Sequence, residues 1–523
     1  MSCSKILSGD LPELIYEIIA YFQNDYSTLH SCILVNKLWC RLAIPLLWEN
    51  PFSIPTGNYN FIEIYLHYLN DDLKTKLNEY KIIGSLLTTN TLFNYPSFIK
   101  YLNISKINTS IDMWLKANDI TLNMVLVFEF KNFINMSLIK LFIENEVNLH
   151  TLDLEASNTN YDTYIEHILE IILQNPSFIN NNIRNLKFSI SSSSSKIVNR
   201  VTQIINSNQN LKKISFNYNT NTFHLYQSLL LSKESNCSNT LNTIIFYHID
   251  FEGINNLDKI FEQLNVLESV HIIFCRSLDR FIQQIIKLTK PFKLKSLFLI
   301  VRLQIESLEL LLQKSGNYLE NFGDYFDNDK SSSYQQLLQL IINYCKNIRL
   351  LNLRNRIKDN ITSLIFSLTE NIKQNLNYLS INLSNYENDE YNNIKSILAN
   401  LGQTLPSKLE YLSLVLHIKE NDIEIFLKNS QDNFFNKLVI ENKKQKDDNY
   451  IDILPYIKEY VIKKKRVKYL AIKNTLILGC ISRKVDLFDL KDEVKELKLH
   501  NIKVLSYNKL SIGTIYRFLN EID

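Results

Sequence analysis

From Leu149 onward an apolar triplet, Leu-x-x-Leu-x-Leu with Ile, Val or Phe allowed, returns every 25 to 34 residues. Its middle positions are Leu152, Leu186, Ile214, Ile244, Val270, Leu297, Phe322, Leu351, Leu379, Leu412, Leu438, Leu470 and Leu497. Ile99/Leu102/Ile104 is an irregular earlier copy, whereas Leu138/Leu141/Ile143 is open to a helical reading. The last two apolar positions of each triplet alternate as in a strand, so they point to one side. Helical spacing follows, as over 161–173, 333–344, 391–401 and 422–428. One strand and one helix cannot bury an apolar face alone, but stacked neighbours can. The period therefore predicts an α/β array with parallel strands on a concave face and helices on a convex one.

Several copies carry more than the triplet. Cys345-x-x-Ile348-x-x-Leu351-x-Leu353 has a cysteine three residues before the first apolar position. Leu211-x-x-Ile214-x-Phe216-x-x-Asn219 and Leu267-x-x-Val270-x-Ile272-x-x-Cys275 end in Asn or Cys. This pattern resembles the leucine-rich repeat, in its ribonuclease-inhibitor or F-box-associated form. Arg302, Arg356 and Lys443 replace the closing Asn or Cys elsewhere, so local irregularity is expected.

The first fifty residues differ. Pro12 and Glu13 suit the opening turn of a helix carrying Leu14, Ile15, Ile18, Ile19 and Phe22. Ser27 is placed to cap a second helix with Leu29, Cys32, Ile33 and Val35. A third carries Leu38, Trp39, Leu42 and Ala43, and Pro45 is expected to end it. Three short helices bury only part of their apolar surface by themselves. Another chain or the following domain should cover the rest. The ordered set Leu11, Pro12, Ile15, Ile18, Ile19, Leu29, Cys32, Val35 and Trp39, with Leu47-Trp48 trailing, resembles the F-box. The resemblance implies that these nine residues bind a Skp-type adaptor and, through it, a cullin–RING ubiquitin ligase. The bland alternative is a three-helix cap packed on the next domain.

The resulting organisation is an F-box over 8–52, a linker and helical region over 53–97, and a leucine-rich-repeat solenoid over 98–523. Asn50-Pro51 and Pro55-Thr56-Gly57 read as a hinge, 61–77 as one amphipathic helix, 191–195 as a surface loop and 510–522 as a sealing helix. Glycine and proline, nine each in 523 residues, are too scarce for long linkers.

Bulk properties narrow the function. A net charge of +3 gives no global attraction to nucleic acid or membrane. Seven scattered cysteines without a C-x-x-C pair read as reduced thiols of a cytoplasmic or nuclear protein. No nucleotide-binding, nucleophile-elbow or zinc-protease motif is present, so no catalysis, cofactor or metal is expected. Asp324, Asp327 and Asp329 read as a solvated loop and not a calcium site. The basic run 463–468 reads as the end of a helix, where the dipole favours positive charge. Residues flanking the inward leucines would face the concave side. Ile245, Tyr247, Ile273, Phe298, Ile300, Arg354, Tyr378 and Tyr411 are therefore the candidate surface for a target protein. The competing reading is that strands simply favour such residues, or that a tail covers them.

Overall fold

The computed structural model describes residues 11–23, 25–54, 59–80, 91–156, 162–180, 183–190, 195–217, 236–300, 303–325, 331–354, 359–383, 391–407, 409–416, 418, 420–430, 435–445, 453–464, 467–478 and 481–511. The chain divides into two compact units, Met1–Ile244 with Gln263–Val266, and Ile245–Glu262 with Leu267–Asp523.

The first unit opens with helices α1 (Pro12–Ala20), α2 (Tyr26–Ile33) and α3 (Lys37–Leu47). Asp25, not Ser27, caps α2: its carboxylate accepts from Thr28 N, and Ser27 Oγ donates to the same group. Asn36 caps α3 by accepting from Trp39 N. Pro45 lies inside α3, which runs two residues beyond it, so it does not end the helix. The expected single helix over 61–77 is two, Phe61–His67 and Asp71–Glu79, with Asn70 capping the second.

Strands β1 (Tyr101–Asn103), β2 (Thr151–Ala156), β3 (Asn185–Ile190) and β4 (Lys213–Asn217) follow, parallel and in chain order. Leu102, Leu152, Leu186 and Ile214 stand opposite one another, so the irregular first copy is a true repeat. Leu138/Leu141/Ile143 lies in the helix Met124–Glu144. A recurring device joins the strands. The first N–H groups of each strand and its preceding residue converge on one carbonyl of the repeat before. Arg184 and Asn185 N donate to His150 O, and His150 and Thr151 N donate to Lys100 O.

That ladder has an earlier rung. Lys100 and Tyr101 N donate to Glu49 O, at 2.9 and 3.1 Å. Glu49 is buried, and its carboxylate takes Lys100 Nζ and, at 2.6 Å, Gln23 Nε2. The expected hinge is thus corrected: Asn50-Pro51 enters a packed turn, Pro51–Ser53, with Pro51 and Phe52 buried. Phe52 stacks on Tyr65, which meets Trp48 and Phe142 edge-on. The aromatic rings close the junction because Pro51 turns the chain back onto them. Residues 55–58, the other half of the expected hinge, lie outside the described set.

Strand β5 (Thr243–Tyr247) holds the residue at which the units divide. The second unit continues with β6 (Ser269–Ile273), β7 (Leu294–Leu299), β8 (Asn321–Asp324), β9 (Leu350–Arg354), β10 (Tyr378–Asn382), β11 (Tyr411–Leu416), β12 (Lys437–Gln445) and β13 (Tyr469–Leu478). From β6 to β13 they pair parallel in order. Leu297, Phe322, Leu351, Leu379, Leu412, Leu438 and Leu470 form one row. An irregularity after Val270 shifts the register, so Ile272 and not Val270 faces Leu297. The irregularity adds one residue on the β7 side: Val270 pairs with Leu294 and His271 with Ser296, so Lys295 is passed over.

Among the expected copies, that at Leu497 is not a strand. It lies in the helix Lys491–Leu499, whose Lys, Asp and Glu residues favour helix over sheet. The sheet instead ends with β14 (Ile481–Asp486), antiparallel to β13, and the short β15 (Lys503–Val504) beside the start of β13. Both cover an edge that would otherwise present unpaired backbone groups. Residues 512–523, most of the expected sealing helix, lie outside the described set, as do 191–194 of the expected loop.

Candidate functional site

The N-terminal trio closes its own core. Ile15, Ile19, Leu29, Cys32, Ala43 and Leu46 pack together. Four of the nine residues assigned to adaptor contact, Ile15, Ile19, Leu29 and Cys32, are therefore interior and hold the helices to one another. Leu11, Ile18 and Trp39 are partly buried, and Pro12 and Val35 are exposed. Beside Val35, the structure adds three residues that sequence reasoning missed as contacts, Leu14, Tyr16 and Leu34. Leu14 is 40% exposed, Tyr16 42%, Leu34 77% and Val35 50%. The signal was available. Ile15 and Ile19 define the inward face of α1, which leaves Leu14 and Tyr16 to its flanks, and Leu34-Val35 follows the end of α2.

The second candidate surface is the helix-free face of the sheet in the second unit. Ile245, Tyr247, Ile273, Phe298 and Leu350 cluster there, with Phe274, Tyr325 and Tyr378 packed against them. Ile245, Ile273 and Phe298 have no exposed surface, and Tyr247 and Tyr411 are buried. In this structure these five lie beneath other side chains of the unit. Ile300, Arg354 and Tyr378 remain partly exposed. Gly323 makes the cluster possible: a Cβ there would sit 2.5 Å from the Phe298 ring.

Two residues shape the cover. His248 and Phe274, at the ends of β5 and β6, both take left-handed backbone, each with φ of 55°. Neither side chain favours that region, and the packed rings hold them in it. Phe274 meets Tyr325 edge-on at 4.7 Å, and Tyr247 meets His248 at 4.6 Å. The Arg354 guanidinium lies 5.8 Å from the Tyr325 ring centre, and Asn352 Nδ2 donates to Tyr325 Oη at 3.0 Å. Burial pushes the Tyr325 hydroxyl up to about 12 and the His248 imidazole down, so both stay neutral near pH 7. The exposed remainder is aromatic and cationic, a composition that suits protein contact.

Asp324 stands where neighbouring strands carry Leu299 and Leu353, on the helix side and fully buried. It accepts from Arg354 N at 2.9 Å and Tyr334 Oη at 2.8 Å. It is a structural acid and not part of a solvated loop; Asp327 and Asp329 lie outside the described residues. No group of three His, Cys, Asp or Glu able to hold a metal is found among the described residues. Nor is any described helix long and apolar enough to cross a membrane. Cys275 closes its repeat as the motif requires, with Sγ 3.4 Å from Phe246 O, and burial pushes its thiol up to about 12.

Parallel strands in chain order, one row of inward leucines and a helix between most strands define an α/β repeat array of the leucine-rich-repeat type. No family model and no curated protein matches the chain. Among solved structures it is similar to the leucine-rich repeat-containing protein LegL7 from Legionella pneumophila. That likeness has 13% identity and a TM-score of 0.34, covering 61% of this chain and 93% of that one.

Proposed function

We propose that the protein is a non-catalytic interaction scaffold that serves a ubiquitin ligase as substrate receptor. The three helices dock a Skp-type adaptor, and the repeat sheet holds a target protein. One observation carries the reading. A module that has completed its own core still presents Leu14, Tyr16, Leu34 and Val35 to solvent. Exposed apolar side chains concentrated on a small module fit an interaction role better than a structural one. The F-box-like order of residues supplies the adaptor as the partner.

The experiment is co-elution of the purified chain with a Skp-type adaptor. A stable complex is expected, and Leu34→Glu with Val35→Glu should abolish it while circular dichroism stays unchanged. No co-elution at tens of micromolar, well above the affinity of a standard-size interface, would remove the adaptor from the proposal. A second reading then takes its place: a scaffold independent of any ligase. The Glu49 rung favours it, since a module that supplies the first carbonyl of the strand ladder is also built as an end cap.

A further inference from the structure

The short helix Tyr507–Leu510 does not stack on the end of the array. It lies across the helix-free face of β11–β13, with Tyr507 and Leu510 packed on Tyr411, Val439 and Ala471. Val439 and Ala471 face one another across adjacent strands and are small enough to leave room above them. The seat has polar fittings for each part of the occupant. Tyr411 Oη donates to Leu510 O at 3.2 Å, and Tyr507 N donates to Asp486 Oδ2 at 2.9 Å. Lys473 Nζ sits 4.7 Å from the Tyr507 ring centre. Beyond the ring lies Glu441, which acts on the Tyr507 hydroxyl and whose carboxylate takes Thr475 Oγ1 at 2.9 Å and pairs with Lys473 at 3.2 Å.

These contacts read one chemistry. The cation over the ring selects an aromatic side chain. The carboxylate beyond it, held by Thr475 and Lys473, favours a ring that carries a donor over a bare one. One helical turn on, an apolar side chain completes the fit. A four-residue helix has no stability of its own, so its place depends on the seat.

We propose that this seat is a ligand site for a helical turn with Tyr and Leu three residues apart, and that Tyr507–Leu510 is its resident occupant, displaced by a partner segment of the same chemistry. The inference rests on the sheet as the target-binding surface and is independent of the adaptor. Tethering gives the resident an effective concentration in the millimolar range, so only a partner with further contacts outcompetes it.

The probe is a labelled peptide of residues 505–511, read by fluorescence polarisation against the full chain. The variant Tyr507→Ala with Leu510→Ala should bind it at least tenfold more tightly than the unaltered chain. The same peptide with phenylalanine for tyrosine should bind several-fold more weakly. Equal binding by the two chains, or none by a folded variant, overturns the site. Hydrogen exchange on the unaltered chain decides the matter without any substitution. Amides of Lys509, Leu510 and Ser511 should exchange well before those of β13. Exchange of both only on global unfolding would make the turn a fixed structural part and overturn the proposal. A dimer of the unaltered chain that the peptide dissociates would assign the seat to a second copy and overturn the partner. Adaptor co-elution is unaffected by all of these outcomes, so the two proposals fail separately.

Discussion

Asp324 shows how one residue departs from a repeat without breaking it. Its strand lacks the third apolar position of the triplet, and the acid in that place is matched by Arg354 N and Tyr334 Oη. Burial raises its pKa from 3.8 to about 7. The folded chain therefore keeps this proton where an unfolded chain has lost it. The stability tied to that proton is complete below about pH 4 and is lost as pH rises through about 7. Asp324→Asn keeps an acceptor for Arg354 N and removes the titration. Denaturant unfolding from pH 4 to 7 should show a clearly flatter stability profile in the variant. An unchanged slope would assign it to another group. The leucine row was legible in the sequence because period and spacing suffice. Asp324 was read as loop because its acceptor role depends on Tyr334, on the next helix, and Arg354, thirty residues on.

At the scale of elements, the junction between the N-terminal helices and β1 carries the most weight. Glu49 joins them twice, by its carbonyl in the strand ladder and by its carboxylate with Lys100 and Gln23. Glu49→Ala leaves the carbonyl but strips a buried charge from two partners, at a cost of roughly 1–3 kcal/mol. The expected result is a lower denaturation midpoint with faster amide exchange in α1–α3. Unchanged exchange there would show that the aromatic contacts of Phe52 and Tyr65 hold the junction alone. Sequence reasoning placed a hinge at Asn50-Pro51 because proline marks a change of direction. It could not tell a turn that swings free from one packed under the rings of Tyr65 and Phe142, which come from later helices. The helix at Lys491–Leu499 was misread for a related reason: Val494, Leu497 and Leu499 fit the triplet, and only the charged residues between them favour helix.

At the scale of the whole molecule, repeats of this kind couple to their neighbours and weakly beyond. Leu351, fully buried and facing Phe322 and Leu379, tests that locality. Leu351→Ala should cost about 2–5 kcal/mol through lost transfer energy and the cavity it leaves. Hydrogen exchange should show the loss of protection concentrated in β8–β10, with β13 little changed. Uniform loss throughout the second unit would show instead that it unfolds as one cooperative body. Partner surfaces belong to this scale as well. Residues named from alternation alone, Ile245, Ile273, Phe298 and Tyr411, were placed on the correct face of the sheet. Their burial followed from side chains and a terminal turn that alternation does not locate.

The sequence by itself determined the repeat and its inward row, because leucine spacing is a local code that each strand reads alone. It also determined three N-terminal helices, since caps and apolar spacing act within a few residues. Tertiary structure alone decided which apolar side chains stay available to a partner. Exposure is a property of what packs above a residue. Glu49, Phe274 and Tyr507 are brought to their places by chain folding and not by any neighbour in sequence.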